Sequence, residues 1–155
     1  MPDGVAQTQL TRKLVDSLYV EAMVLADEAR AYFEDHGVEA RDGLRPAQRV
    51  GYAVESLKVT TRLMHVIAWL LTWRGEANGE IDAEQARHPD RRLGLTGRSD
   101  PDVVDTLPEG AQRLIVASEE LYKRVRRLEQ ELLAPPEEPK ASPARGLLGR
   151  LERAF

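Results

Sequence analysis

The sequence predicts an all-α fold: a bundle of three long antiparallel helices, homodimeric, followed by a flexible C-terminal tail. Three observations predict it. Apolar residues recur at alternating steps of three and four in three separate segments, the spacing of one helical face. Glycine and proline gather in the stretches between those segments, where the chain must change direction. The middle segment carries apolar stripes on two opposite flanks, more surface than one neighbour can cover.

The first helix is expected from Thr8 or Gln9 to about His36, with Leu10, Leu14, Leu18, Ala22, Leu25, Ala29 and Tyr32 as its inner stripe. Gly37 is positioned to end it in a left-handed conformation, with His36 in the last turn. After a short loop through Asp42 and Gly43, Pro46 opens the second helix as a first-turn proline, and the helix fades near Asn78–Gly79. One of its stripes is Val50, Val54, Leu57, Thr61, Met64, Ala68 and Leu71. The other is Val59, Leu63, Val66, Leu70 and Trp73, lying roughly 160–200° away because two residues advance a helix by about 200°. At about 25 cal/mol per Å² of apolar area, burying this second stripe is a substantial gain, as a subunit contact or as a second packing seam. Gly51 costs up to ~1 kcal/mol relative to alanine, which close approach of another helix would explain.

From Glu80 to Thr106 the periodicity is lost. Pro89, Gly94, Gly97 and Pro101 break any long element and leave room for a helical turn at Asp82–Arg87. So long a connection is expected to lie against the bundle or to be a working surface. The third helix begins near Thr106 or Leu107, with Pro108 in its first turn and Thr106 and Glu109 spaced as a capping box. Its buried stripe is Leu114, Ala117, Leu121, Val125, Leu128 and Leu132, and Pro135 and Pro136 end it. The helical domain therefore occupies residues 1–134. Residues 135–155 start with the composition of a linker, EEPKASPARG. Leu147, Leu148, Leu151 and Phe155 are then spaced for a short amphipathic helix, marginal alone, and so a docking segment or a frayed end.

Composition narrows the function. The 155 residues carry a net charge of −4 with mixed signs, so no global basic field calls for nucleic acid or an anionic membrane. With no cysteine there is neither a disulfide framework nor thiolate chemistry, which fits a reducing cytoplasm. The N-terminal residues lack the apolar core of a signal peptide, and Val66–Trp73 is far shorter than the ~20 residues that span a bilayer. A soluble, cytoplasmic protein is expected.

Chemistry finds little support. His36, His65 and His88 form no pair at helical metal-site spacing, and His65 reads as an interfacial or partly exposed side chain. Gly94, Gly97 and Gly110 lack the spacing and the preceding strand of a phosphate loop. Ser56 and Ser118 fall on or beside apolar stripes, where hydroxyls bond the preceding turn. No catalytic residue, metal ligand or cofactor site is assigned, and the chain is not read as an enzyme. A small-ligand site near His65 would need a large apolar cavity with converging polar groups. On the third helix, Lys123, Arg124 and Arg127 are offset by Glu119, Glu120 and Glu131 one turn away. The loop cluster Arg87, His88, Arg91, Arg92 and Arg98 is balanced only by Asp90, which suits a solvated loop or a surface for an acidic partner. A DNA-associated or transcription-linked helical protein using this Arg87–Arg98 loop is the rival function, weakened by the absence of interleaved aromatics.

Recognition fits better. Glu55, Lys58, Arg62, His65, Trp69 and Thr72 share the polar arc of the second helix, and tryptophan with arginine is what interface hot spots favour. The alternative is that Trp69 covers the bundle beneath the long loop with Arg62 stacked beside it. The residues assigned to partner binding are Glu55, Lys58, Arg62 and Trp69, joined by the loop arginines Arg91 and Arg92.

These same residues carry a resemblance. GYAVESLKVTTRLMHVIAWLLTWRGEANGEI, followed downstream by PEGAQRLIVASEELYKRVRRLE, resembles the regulator of CtrA degradation (RcdA) family. The family's Y-A-x-E-S-x-x-x-T-T-R-L-M core falls on Tyr52, Ala53, Glu55, Ser56, Thr60, Thr61, Arg62, Leu63 and Met64. Its W-L-L and G-E-I fall on Trp69–Leu71 and Gly79–Ile81, and the likeness spans roughly residues 14–133. The resemblance implies a three-helix bacterial homodimer with a flexible C-terminal tail and no catalytic residue. It further implies a proteolytic adaptor that joins a ClpX-type unfoldase and ClpP peptidase, primed by a small response regulator. Transcription-factor cargo that regulates the cell cycle is delivered by tethering, which raises its effective concentration at the unfoldase.

Overall fold

The computed structural model describes residues 2–134 and 150–154, with side chains from residue 8 onward. Helix α1 (Pro2–Ala31) widens into a π turn at Tyr32–His36, and a short α2 (Val38–Asp42) leads into α3 (Pro46–Ala77). The long connection holds α4 (Ala83–Ala86), a 3-10 turn (Pro89–Arg91) and α5 (Pro101–Val104), and the last long helix is α6 (Glu109–Leu133). No strand occurs among the described residues.

The helix ends follow from local chemistry. Pro46 sits in the first turn of α3, and the Gln48 side chain accepts from the Arg45 N–H at 3.1 Å. Gly79 closes α3 at φ 77°, a left-handed backbone that glycine adopts without strain. Asp82 and Gln85 cap α4 reciprocally, at 2.7 and 3.0 Å. Gly37 differs from the left-handed stop expected of it, since its φ is −90°. Its reason is space: a Cβ there would stand 2.5 Å from Tyr52 Oη and 2.8 Å from the Tyr32 carbonyl oxygen. The Thr106 hydroxyl does not cap α6 either. It donates to the Val103 carbonyl at 2.7 Å, and α6 begins at Glu109 behind Pro108.

In α1 the buried line is Val15, Leu18, Ala22, Leu25 and Ala29, while Leu10 and Leu14 are exposed. Steps of four overshoot a helical turn by about 40° each, so Leu14 and Leu10 drift off the face that Leu18 occupies. Alternating steps lead instead to Val15. In α6, Ala111, Leu114, Ile115, Ser118, Leu121, Val125 and Leu128 are buried, while Ala117 and Leu132 of the expected stripe are half-buried.

Helix α1 runs antiparallel to α3, since Asp16 pairs with Arg74 near one end while Phe33 meets Tyr52 near the other. It is antiparallel to α6 as well: Tyr32 packs on Gly110, and Glu21 pairs with Arg124. Helices α3 and α6 therefore run in the same direction, which refines the expected antiparallel bundle. Arg62 reaches Ser118, and Trp73 and Leu132 line one cleft. A parallel pair needs a crossover as long as its helices, and α3 is about 48 Å long at 1.5 Å per residue. This is why the connection is so long. It folds back over the α3–α6 seam with Ala86, Leu93, Val104 and Leu107 buried beneath it.

Residues 150–154 are helical, and Leu151 is exposed. Leu147, Leu148 and Phe155, assigned above to tail docking, lie outside the described residues.

Candidate functional site

The polar centre of the protomer lies where the returning connection crosses α3. Residues 93–100 form a strap without turn or bend. Gly94 lies against His65, Gly97 against Lys58, and Val103 beyond the strap against Gly51. A Cβ on Gly51 would come within 2.7 Å of Val103 Cγ1, so close approach does account for that glycine, through α5.

Glu55 and Arg62 hold the strap down from two turns of α3. The Arg62 guanidinium donates to the Gly97 carbonyl at 2.9 Å, to Ser99 Oγ at 2.7 Å and to Ser118 Oγ at 3.3 Å. The Ser99 hydroxyl donates to Glu55 Oε2 at 2.5 Å, and the Asp100 N–H reaches Glu55 Oε1 at 3.4 Å. Lys58 Nζ bridges Glu55 Oε1 (2.8 Å) and the Arg98 carbonyl (2.9 Å). One guanidinium, one ammonium and one carboxylate thus bind three elements, α3, the strap and α6. Burial pushes the Glu55 carboxyl up, but hydrogen bonds from Lys58, Ser99 and the Asp100 N–H outweigh it and hold it below the ordinary value. Burial likewise lowers the Arg62 guanidinium, opposed by the charges of Glu119 and Glu55. The arrangement can lock a loop.

The residues assigned to partner binding are therefore divided by the structure. Glu55, Arg62 and Trp69 are no more than 2% exposed, and so unavailable to a partner, which corrects their assignment to a recognition surface. They look polar and outward in sequence because their partners lie 35 to 56 residues away. Trp69 stacks at a tilt on Trp73, with ring centroids 5.9 Å apart, and Lys58 is half-buried in the clamp. Arg91 and Arg92 are exposed on the turn that leads into the strap. Ser99, Ser118 and the Gly97 carbonyl were not singled out as Arg62 partners, and no local pattern marks them.

The two apolar flanks of α3 also separate. Val59, Val66 and Leu70 are 0% exposed, Leu63 3% and Trp73 6%, all inside the protomer. Of the two readings open for this stripe, packing seam or subunit contact, its burial favours the seam, and as a subunit contact it has no surface to offer. The other stripe faces outward: Val50, Leu57 and Met64 are each at least 64% exposed, with Val54 and Leu71 near half. Between α1 and α3 this flank opens into a groove of about 630 Å³, lined by Ala26, Ala29, Phe33, Leu57, Met64 and Ile67 among others. His65 is half-buried against the strap. Among the described residues no cluster of His, Asp or Glu is arranged to hold a metal ion, and no helix is long and apolar enough to cross a membrane.

Fold and site together define a class, an all-α bundle whose polar centre is a structural clamp and whose open surface is an apolar helix flank. The family model described as "Protein of unknown function (DUF1465)" matches residues 6–155, and the chain belongs to that family. The crystal structure of RcdA from Caulobacter crescentus CB15 is similar at 34% sequence identity, with a TM-score of 0.64, covering 77% of this chain and 90% of that one. The protein is thus RcdA-like, and no enzymatic family is among these likenesses. No curated protein matches.

Proposed function

We propose that this protein is a non-enzymatic adaptor in regulated proteolysis, tethering transcription-factor cargo of the cell cycle to a ClpX/ClpP-type protease in the cytoplasm. The observation that carries the proposal is the likeness to RcdA, at 34% identity over 90% of that chain. The site supports it from the other side. The charged residues of the shared signature are engaged in holding the strap, which leaves surface contact as the protein's means of action.

The protein works as a homodimer in this proposal. The outward stripe Val50, Val54, Leu57, Met64 and Leu71 is the surface a second copy covers, since so many exposed apolar side chains on one helix mark a contact site. Tethering cargo beside the unfoldase raises its local concentration to the millimolar range that short linkers give, on the order of 1 mM. The test is a pull-down with the unfoldase, its priming response regulator and lysate, followed by a reconstituted degradation assay on the captured cargo. Faster cargo loss in the presence of this protein is expected. Unchanged degradation together with no retention of the unfoldase would reject the adaptor.

A further inference from the structure

Between the strap and α6 lies a second groove, of about 550 Å³, which the clamp does not use. Its walls are Leu95, Thr96 and Arg98 on the strap and Tyr122, Lys123 and Arg126 on α6, with the flank of buried Arg62 as its floor. Leu95 is 82% exposed, the most exposed large apolar side chain among the described residues. Arg98, Lys123 and Arg126 are exposed and enter no ion pair among the described residues, although the chain as a whole carries −4. Glu119 is the one acid on the lining.

The main chain of the strap adds a second feature. The carbonyls of Gly94, Gly97 and Arg98 accept from Tyr122 Oη, Arg62 and Lys58, which ties the segment to the bundle. Among the described residues, the N–H groups of Leu95, Thr96, Gly97 and Arg98 meet no acceptor. A segment with unpaired main-chain donors, fixed beside a basic helix face, can offer those N–H groups to the carbonyls of a docked peptide.

We infer that this groove docks an extended acidic peptide segment of a partner protein, with an apolar side chain of the peptide against Leu95. Its carboxylates meet Arg98, Lys123 and Arg126, and its carbonyls meet the strap N–H groups. A nucleic acid strand fits less well. Glu119 would repel its phosphates, and the Tyr122 hydroxyl is already held by the Gly94 carbonyl at 2.6 Å. This inference rests on the adaptor proposal only for its choice of a protein partner.

The probe is a short fluorescein-labelled peptide of aspartate and glutamate with one central leucine, titrated by anisotropy into the full chain. Lys123→Glu with Arg126→Glu is expected to weaken binding roughly tenfold or more, by reversing charge on one wall. Leu95→Ser, at a position too exposed to threaten folding, is expected to weaken it about threefold, and Arg113→Glu to leave it unchanged. Amide shifts on titration should gather at residues 94–98 and 119–126. No binding, equal binding by the groove variants, or displacement of the peptide by a charge-matched oligothymidylate would each overturn the inference. Unfoldase capture without peptide binding removes the groove and leaves the adaptor standing; peptide binding without unfoldase capture does the reverse.

Discussion

The two flanks of α3 make an instructive pair. The outward flank, Val50, Val54, Leu57, Thr61, Met64, Ala68 and Leu71, carries no charge along its whole length. The inward one alternates Val59, Leu63, Val66 and Leu70 with Glu55 and Arg62. By hydropathy alone the cleaner stripe would be the core. It is the mixed one that is buried, because the strap and α6 supply a partner for every charge on it. Burying charge without partners costs several kcal/mol, whereas a fully hydrogen-bonded cluster holds a specific arrangement. Glu55 and Arg62 of the signature thus fix how the crossover lies, and the plainer flank is the one left exposed.

Several substitutions sharpen or break this comparison. The largest effect is expected from Leu63→Asp with Leu70→Asp, which places two carboxylates in the sealed flank. Each costs several kcal/mol against a typical total of about 5–15 kcal/mol, so no cooperative thermal transition should be seen by circular dichroism. A folded double variant would mean that this flank is not the core. Next comes Arg62→Ala, which removes the donor to Gly97, Ser99 and Ser118 and leaves Lys58 as the remaining cation of the clamp beside buried Glu55. A loss of about 3–5 kcal/mol in urea unfolding is expected. An effect below about 1 kcal/mol would show the clamp to be dispensable.

Gly37→Ala tests the turn between α1 and α3. The added methyl meets Tyr52 Oη and the Tyr32 carbonyl, so a cost of about 1–3 kcal/mol is expected from the same unfolding measurement. On the outward flank, Leu57→Asp with Met64→Asp should change protomer stability by no more than about 0.5 kcal/mol. Light scattering is nevertheless expected to report a dimer for the parent and a monomer for the variant. A variant that stays dimeric takes this stripe out of the subunit contact.

The smallest effect concerns pH. Glu55 is held below its unfolded value of about 4.3, so its ionised form favours the folded state. That contribution is complete above the unfolded value and is lost as pH falls through the folded one. The parent should therefore lose stability below about pH 4 more steeply than Glu55→Gln, as followed by thermal melts across that range. Parallel curves would remove Glu55 from the acid response.

Much of the fold was legible along the chain. Pro46 and Gly79 mark ends that proline and glycine enforce wherever they stand, and the step pattern of α6 names Leu114, Leu121, Val125 and Leu128 of its buried face. Gly51 announced a close neighbour without naming it, since a missing Cβ says only that something approaches. The site was less legible. Trp69 and Arg62 carried two open readings, and only the tertiary structure shows both to be covered. Arg91 and Arg92 stand exposed as their composition suggested, but neither lines the groove beside Leu95.

The sequence by itself determined that three helices form, where they stop, and that the middle one is apolar on opposite sides. These are consequences of residue spacing and of backbone freedom, and both act within a few neighbours. The tertiary structure alone decided which side turns inward and that α6 lies parallel to α3. Those outcomes depend on hydrogen bonds between Arg62 and groups 35 to 56 residues away, a distance across which no local pattern carries information.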